Sequence, residues 1–460
     1  MEQNSSNCVF PDSGTSAAKA RVLLLTWNVG NCSESTMDER ILFHDEDFTT
    51  AQSEHNNEAE EEEVGGPHLV FIGLQEVDAS MHNNIVRHWG YSAWSIRLME
   101  QMADRGLIML HHQTFPGLLA LLFVKYEWLP HVNLVEADNT KLMFESLVGS
   151  KGAIGVRAKV GNETICLINS HLPAHLADHR ERDKAYLTIL ADQFYSKSES
   201  TVLNHDFVFW LGDLNFRIDE IPNLEVKRLV EEGQLQHLLN HDQLNFSIAS
   251  GRSFSPFQEG EICFPPTYKF NVGTQDYDTS EKKRKPAWCD RILWRDKPQL
   301  LIRGEGPGVR CLKYSSIASC CASDHKPVYG VYEVLLQNYR FDTPSVALDL
   351  PLESSTPEEK GVKEVHMKKN SSVKFRMNHQ YGFEENTDSY DWVGLYIERA
   401  LKLKDYCAYK YVSSSDWSKN RVKFSQKEFK ESERYRIIYH SAKLKAAVGV
   451  SCLFKAVPQQ

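Results

Sequence analysis

Residues Phe264 to Leu293 read FPPTYKFNVGTQDYDTSEKKRKPAWCDRIL, a basic loop that runs into a short apolar segment. Lys269, Lys282, Lys283, Arg284 and Lys285 crowd beside Tyr268 and Trp288, and Asp290 stands just before the apolar run Ile292 to Trp294. Planar guanidinium and compact ammonium groups, with a phenol hydroxyl among them, suit a ligand carrying several phosphates. KKRK alone reads as well as a solvated loop or a nuclear-localisation run. The flanking sequence has to decide.

Working outward, WLGDLNFR (Trp210 to Arg217) follows a strand at Phe207–Leu211 and delivers Asp213 and Asn215. Two residues apart, their side chains face the same way if the segment stays extended. SDHKPV (Ser323 to Val328) joins Asp324 and His325 just ahead of a closing strand at Val328–Leu335. Arg21–Val29 and His68–Leu74 are apolar enough to be buried strands, ending in Asn28 and in Gln75 and Glu76. Leu118–Val124, Gly152–Val160 and Thr164–Ser170 read as further strands, the last delivering Asn169 and His171. Polar residues recurring at the ends of strands so far apart in sequence suggest a site on one rim of a sandwich.

Two helices are expected. Asp178–Ser196 has a capping box in Asp178 and Glu181, with Tyr186, Ile189, Leu190 and Phe194 at helical spacing. The second covers about Leu224 to Leu239.

Glu76, Asn28 and Asp213 offer hard oxygen donors, suited to Mg²⁺ rather than zinc. An Asp-His pair alone is usually a surface loop. Together with Asp290, His325 becomes a candidate imidazole held by a buried carboxylate.

The bulk properties narrow the classes. With 460 residues there is room for two or three domains, and 42% hydrophobic with 25% charged residues is ordinary for a globular protein. A net charge of −10 argues against nucleic-acid binding, so an anionic substrate must be met by a local basic patch. Ten cysteines form no Cys-x-x-Cys pair, which leaves reduced cytosolic thiols as the default. The start, MEQNSSNCVF, lacks the pattern of a signal peptide, and the longest apolar run, Leu118 to Val124, is far short of a membrane span. The end, VPQQ, has no prenylation cysteine. A cytoplasmic, monomeric protein with peripheral membrane contact is expected.

Residues 1–19 read as disordered, residues 20–336 as the first domain, and 31–66 within it as a solvated acidic insertion culminating in Glu58 to Glu63. Residues 337–460 read as a linker, with a first strand at Ser345–Leu350, and a small all-β sandwich. Its strands are expected at Val373–Met377, Trp392–Ile397, Tyr406–Tyr411, Tyr435–Tyr439 and Val448–Phe454.

TWNV, LQE, NSHLPAH, WLGDLNFR, FPPTYKF, KPAWCDRIL and SDHKPV stand in the order and approximate spacing of the inositol polyphosphate 5-phosphatases. The chain resembles that family over roughly residues 20 to 335. The resemblance implies the α/β two-sheet sandwich flanked by helices of the endonuclease/exonuclease/phosphatase superfamily. It implies that Glu76 binds Mg²⁺ assisted by Asn28, with Asp324 near the metal. Asp213 would orient or deprotonate the attacking water, and Asn215, Asn169 and His171 would hold the scissile phosphate. His325, paired with Asp290, would stabilise the phosphoryl group or its leaving oxygen.

Tyr268, Lys269, Lys282 and Arg284 match residues that grip an inositol 4-phosphate, and Lys151 is a further phosphate contact. Ser150 and Ala153 depart from the family's Asn-Lys-Gly-Gly run around it. DWVGLY (Asp391 to Tyr396) and RYRIIYHSAKLKAAVGVS resemble the SKICH domain, an immunoglobulin-like sandwich linked to membrane or partner targeting.

The implied activity is Mg²⁺-dependent removal of the 5-phosphate from phosphoinositides at a plasma or endoplasmic-reticulum membrane, extending to soluble inositol polyphosphates. A protein partner would bind through the second domain. The competing readings are a nuclease or sphingomyelinase of the same superfamily, which has no use for the basic motifs, and an inactive phosphoinositide-binding adaptor.

Overall fold

β1 (Ala18–Asn28) is buried along most of its length and pairs in parallel with β2 (Leu69–Gln75), Asn28 opposite Gln75. β7 (Glu163–His171) and β10 (Phe207–Asp213) repeat the arrangement, His171 opposite Asp213. Parallel central strands are covered on both faces, which is why these runs are continuously apolar. The structure is a computed structural model and describes residues 18–36, 66–77, 91–142, 151–174, 179–195, 200–296, 308–336, 346–349, 363–367, 372–379, 390–412, 421–430, 433–442, 446–451 and 453–458. Of the predicted segments, residues 1–17, residues 37–65 of the acidic insertion and Asp178 of the capping box lie outside the described residues. Ala18 and Lys19, expected to be disordered, begin β1.

The first sheet runs β13 (Val309–Ser316), β14 (Val328–Leu336), β1, β2, β4 (Leu118–Lys125), β3 (Leu107–Phe115). The second runs β11 (Gln258–Glu259), β12 (Asp290–Asp296), β10, β7, β6 (Gly152–Val160), β5 (Val132–Lys141). A short ribbon pairs β8 (Phe194–Tyr195) with β9 (Ser200–Thr201).

Side chains alternate across each strand. Leu24, Phe71, Val156, Phe209 and Leu211 therefore join one cluster between the sheets. Leu23, Leu25 and Trp27 point the other way, onto Trp94, Leu98 and Met102 of α1 (Ala93–Ala103). Ile168, Val208 and Trp210 pack outward with Tyr186 and Ile189 of α2 (His179–Asp192). The result is the expected two-sheet sandwich with helices outside.

Two expected helices are corrected. α2 stops at Asp192, and Phe194 lies in β8, 49% exposed, its N–H donating to Asp138 Oδ2 at 2.9 Å. The 224–239 stretch is two helices, α3 (Asn223–Glu231) and α4 (Leu235–Leu239). Between them Gly233 has φ +70°, a conformation only glycine adopts at little cost. α5 (Gln243–Ala249) follows.

The second domain is all-β. One sheet holds β15 (Val346–Asp349), β17 (Ser372–His379) and β20 (Arg421–Ser425). The other runs β16 (Lys363–Met367), β23 (Phe454–Pro458), β21 (Arg434–Ser441), β18 (Trp392–Ile397), β19 (Tyr406–Tyr411), with β22 (Ala446–Val450) on β21. The single strand expected over Val448–Phe454 is divided between β22 and β23 at Ser451, whose hydroxyl accepts from Ile437 N at 2.8 Å.

Tyr396, Tyr435 and Tyr439 are buried, and Trp392 stacks on His440 with ring centroids 3.8 Å apart. The domain docks on the edge of the first sheet. Met109 N in β3 donates to Leu401 O at 3.1 Å, and Tyr126 Oη donates to Ala400 O at 3.1 Å. Arg436 lies over the Tyr126 ring at 4.9 Å and pairs with Glu127 at 3.5 Å. Tyr396, Ile438 and Ala447 share a buried cluster with Tyr126 and Leu129.

Candidate active site

The C-terminal ends of β1, β2, β7 and β10 meet the starts of β12 and β14, because β12 runs antiparallel to β10 and β14 to β1. Register then places Asp213 between His171 and Asp290. Gly212 makes this approach possible. It has φ +145°, and a Cβ there would fall 1.9 Å from the Ser170 carbonyl oxygen.

Asp213 is the hub. It is buried, and its Oδ2 accepts from Asn28 Nδ2 at 2.9 Å while lying 3.1 Å from His171 Nε2 and 3.9 Å from His325 Nε2. Its Oδ1 accepts from Asn215 N at 3.1 Å. Burial opposes the charge, but His171, His325 and Lys151 outweigh it and hold the carboxyl well below the usual carboxylate range.

His325 Nδ1 donates to Asp290 Oδ2 at 2.9 Å, and that oxygen also accepts from Thr267 Oγ1 at 2.7 Å. Burial would strip the ring of its proton, yet the carboxylates of Asp290, Asp213 and Asp324 hold it up to about 9, so the ring is an imidazolium at neutral pH. Burial pushes Asp290 up, with His325 pulling against it. The loop carrying His325 is stapled to β1, since Trp27 Nε1 donates to the His325 carbonyl at 3.1 Å and Ser323 Oγ to the Asn28 carbonyl at 2.7 Å.

Burial and the neighbouring Lys151 lower His171, against the pull of Asp213 and Glu76. The Lys151 ammonium touches His171 Nε2. Burial lowers Lys151 in turn, against the pull of Asp213 and Glu76. Glu76 has φ +53° and turns its carboxylate to 3.9 Å from His171 Nε2. Asp324 Oδ2 accepts from Lys269 Nζ at 2.6 Å, so an expected metal neighbour and an expected substrate grip form one ion pair.

The donor set fits a hard divalent cation. Carboxylates of Glu76, Asp213 and Asp324 gather here with the Asn28 amide, whose Oδ1 accepts from Gly30 N at 3.0 Å, whereas the Cys289 thiol is buried and directed at Phe216 O, 3.8 Å away. Asp213, Asp290 and His325 bring donor atoms within 4.8 Å of one another. The hydrogen bond between His325 and Asp290 makes that group a proton-holding pair rather than an open ligand set.

Two sequence expectations are corrected. Asn169 lies one pleat deeper than His171 and does not reach the cleft. Its Nδ2 donates to Leu74 O at 3.1 Å and Leu119 O at 3.0 Å, and its Oδ1 accepts from Gln75 Nε2 at 2.6 Å, tying the two sheets together. Asn215 does not continue an extended strand with Asp213. Its φ is +58°, its Nδ2 donates to Leu172 O at 3.1 Å, and its Oδ1 accepts from Arg217.

The basic loop is a built structure. Asp278 accepts from Ser280 N at 2.9 Å and Arg284 N at 2.7 Å, and α3 pins the loop through Lys227 Nζ to Asp278 O at 2.9 Å and Asn223 Nδ2 to Lys283 O at 2.6 Å. Lys282 is exposed and Arg284 half-buried, while Lys285 is spent on Ile218 O at 2.9 Å. The Tyr268 ring lies 4.6 Å from that of His325.

Sequence reasoning missed Arg217, whose guanidinium covers the Tyr268 ring at 4.3 Å. Its only signal was its place at the end of WLGDLNFR.

The sequence profile described as Endonuclease/Exonuclease/phosphatase family 2 matches residues 25–331, and that of the SKICH domain matches residues 360–456. Phosphatidylinositol 4,5-bisphosphate 5-phosphatase A of Mus musculus is 32% identical over 443 residues, covering 94% of this chain and 41% of that protein. The chain thus spans about two fifths of the length of that relative. Inositol polyphosphate 5-phosphatase K of Mus musculus is 30% identical over 401 residues, covering 84% of this chain and 82% of that protein. The solved inositol polyphosphate 5-phosphatase domain of SPsynaptojanin, in complex with inositol (1,4)-bisphosphate and calcium ion, is similar with a TM-score of 0.58 and 29% identity. That match covers 70% of this chain and 86% of the solved one.

Proposed function

We propose, because the chain belongs to the inositol polyphosphate 5-phosphatases of the endonuclease/exonuclease/phosphatase family, that it hydrolyses the 5-phosphate of phosphatidylinositol 4,5-bisphosphate and phosphatidylinositol 3,4,5-trisphosphate. Soluble inositol polyphosphates sharing the 4,5 pattern are substrates of the same site. The observation that carries the reading is Asp213, held ionised, between His171 and the His325–Asp290 pair.

Asp213 orients the attacking water. As the water oxygen bonds to phosphorus, the proton it loses passes through the Asp213 carboxylate to the phosphate product. His171 and Lys151 receive phosphoryl oxygens. The His325 imidazolium, with its proton held at about 9, hydrogen-bonds the leaving oxygen and gives it a proton as the bond from phosphorus to the ring oxygen breaks. Glu76, Asn28 and Asp324 would hold Mg²⁺, which would supply Lewis-acid polarisation of the phosphoryl group. Tyr268, Lys269, Lys282 and Arg284 read the 4-phosphate through charge-assisted hydrogen bonds.

No helix among the described residues is long and apolar enough to cross a membrane, and we place the chain at a phosphoinositide surface by peripheral contact, acting as a monomer in the cytoplasm. The second domain takes a protein partner.

The test is phosphate release from liposomal phosphatidylinositol 4,5-bisphosphate and from soluble inositol 1,4,5-trisphosphate, with Mg²⁺ and after chelation. Mg²⁺-dependent release lost in Asp213→Ala supports the reading. Folded, metal-loaded protein that releases nothing overturns it in favour of the adaptor.

A further inference from the structure

Arg217 lies four residues beyond Asp213, the last residue of β10. Its Nε donates to the Asn215 carbonyl at 3.1 Å and its Nη2 to Asn215 Oδ1, so the guanidinium holds both polar ends of one residue. The same guanidinium lies over the Tyr268 ring, 4.3 Å from its centroid, within reach of the phenol hydroxyl. The Tyr268 ring also meets His325 at 4.6 Å, and the Tyr268 backbone bridges to His325 and Ala287.

Asn215 in turn fixes Asp213 by donating its N–H to Oδ1 at 3.1 Å. One cation therefore spans two elements distant in sequence, the turn after β10 and the loop that opens the basic stretch.

Its partners here are neutral oxygens and an aromatic face. A planar fork can serve both at once, whereas an ammonium is a single point charge.

We infer that Arg217 is a positioning residue that locks Tyr268, the reader of the ring 4-phosphate, to the Asn215–Asp213 turn, so that recognition of the 4-phosphate and alignment of the 5-phosphate are set by one side chain. This rests on the 5-phosphatase reading.

Arg217→Met and Arg217→Lys in the full chain test it. Two ratios are read. The first is kcat/KM for inositol 1,4,5-trisphosphate against inositol 1,5-bisphosphate. The second is Kd for inositol 1,4-bisphosphate against inositol 1-phosphate, by calorimetry. In Arg217→Met both ratios shrink by roughly 10- to 100-fold, the loss of one charge-assisted contact. Arg217→Lys restores the melting temperature but not the ratios.

A merely structural role lowers turnover of both substrates by one factor with the ratios intact, and that result overturns the inference. Full recovery in Arg217→Lys overturns it too, since charge alone would then suffice. A wild type that releases no phosphate sinks the 5-phosphatase reading, while the binding ratio still tests Arg217. A wild type that binds the two ligands equally sinks the inference.

Discussion

At the residue scale, charge placement follows from burial. Asp213 and Asp290 are both buried carboxylates in register on neighbouring strands, yet their fates differ. Asp213 faces His171, His325 and Lys151 and stays ionised, whereas Asp290 faces chiefly His325 and is pushed up by burial. Asp213→Asn keeps the shape and removes the charge. Its kcat should fall about 10²- to 10⁴-fold, the range for one acid–base group, with KM little changed; steady-state kinetics decide it. The candidate catalytic residues were legible because each sits at a strand end in a short motif. Asn169 was misplaced because a sequence does not show which amides are already engaged by backbone carbonyls, and the extended run from Asp213 to Asn215 failed because the backbone turns left-handed at Asn215. Arg217 was invisible because its partner Tyr268 is contributed by a loop far along the chain.

At the scale of elements, the central strands announced themselves and the edges did not. β3 (LIMLHHQTF) and β5 (VNLVEADNTK) are half-exposed edge strands whose polar residues hide the apolar run that marks β1, β4 or β10. The 224–239 helix was read as one because its apolar spacing continues across Gly233, and only the backbone shows the left-handed turn. Close strand packing makes its own prediction. In Gly212→Ala the added methyl would sit 1.9 Å from the Ser170 carbonyl oxygen, on backbone that cannot yield without opening the β7–β10 pairing. Overpacking costs typically ~1–3 kcal/mol, and a methyl against a ladder carbonyl belongs at or above the upper end. Denaturant unfolding should show that loss, together with lost activity, since Asp213 is the next residue.

At the scale of the whole molecule, three histidines whose protonation is opposed by burial, His131 and His440 buried and His68 half-buried, couple stability to pH. Burial holds His68 and His440 down at about 3 and His131 at about 4, with Lys125 and Arg21 adding to the effect on His68. The unfolded chain takes up protons near the ordinary value of about 6.5 and the folded chain does not, so the stability they protect is present above that value and lost as pH falls. Between pH 7 and pH 5 each should cost about 2 kcal/mol, an order-of-magnitude figure; urea unfolding at the two values checks it, and His440→Phe should flatten the slope. His68 and His131 flank Trp128, in the same turn as Tyr126, so acid should loosen the seam between the domains early. Removing Arg436, which joins Tyr126 and Glu127 across that seam, should lower the melting temperature by a few degrees and separate the two domains' unfolding in calorimetry. The docking also bears on how the protein avoids misassembly. β3 is the last strand of its sheet, and Leu401–Lys402 lies along its open side, bonded to Met109. A fragment cut near residue 336 would bare that strand's unpaired main-chain groups, together with the apolar surface under Tyr396 and Ile438, and a bare edge of this kind recruits strands from other molecules. The second domain thus covers main-chain groups on the edge strand β3 that would otherwise be open to pairing.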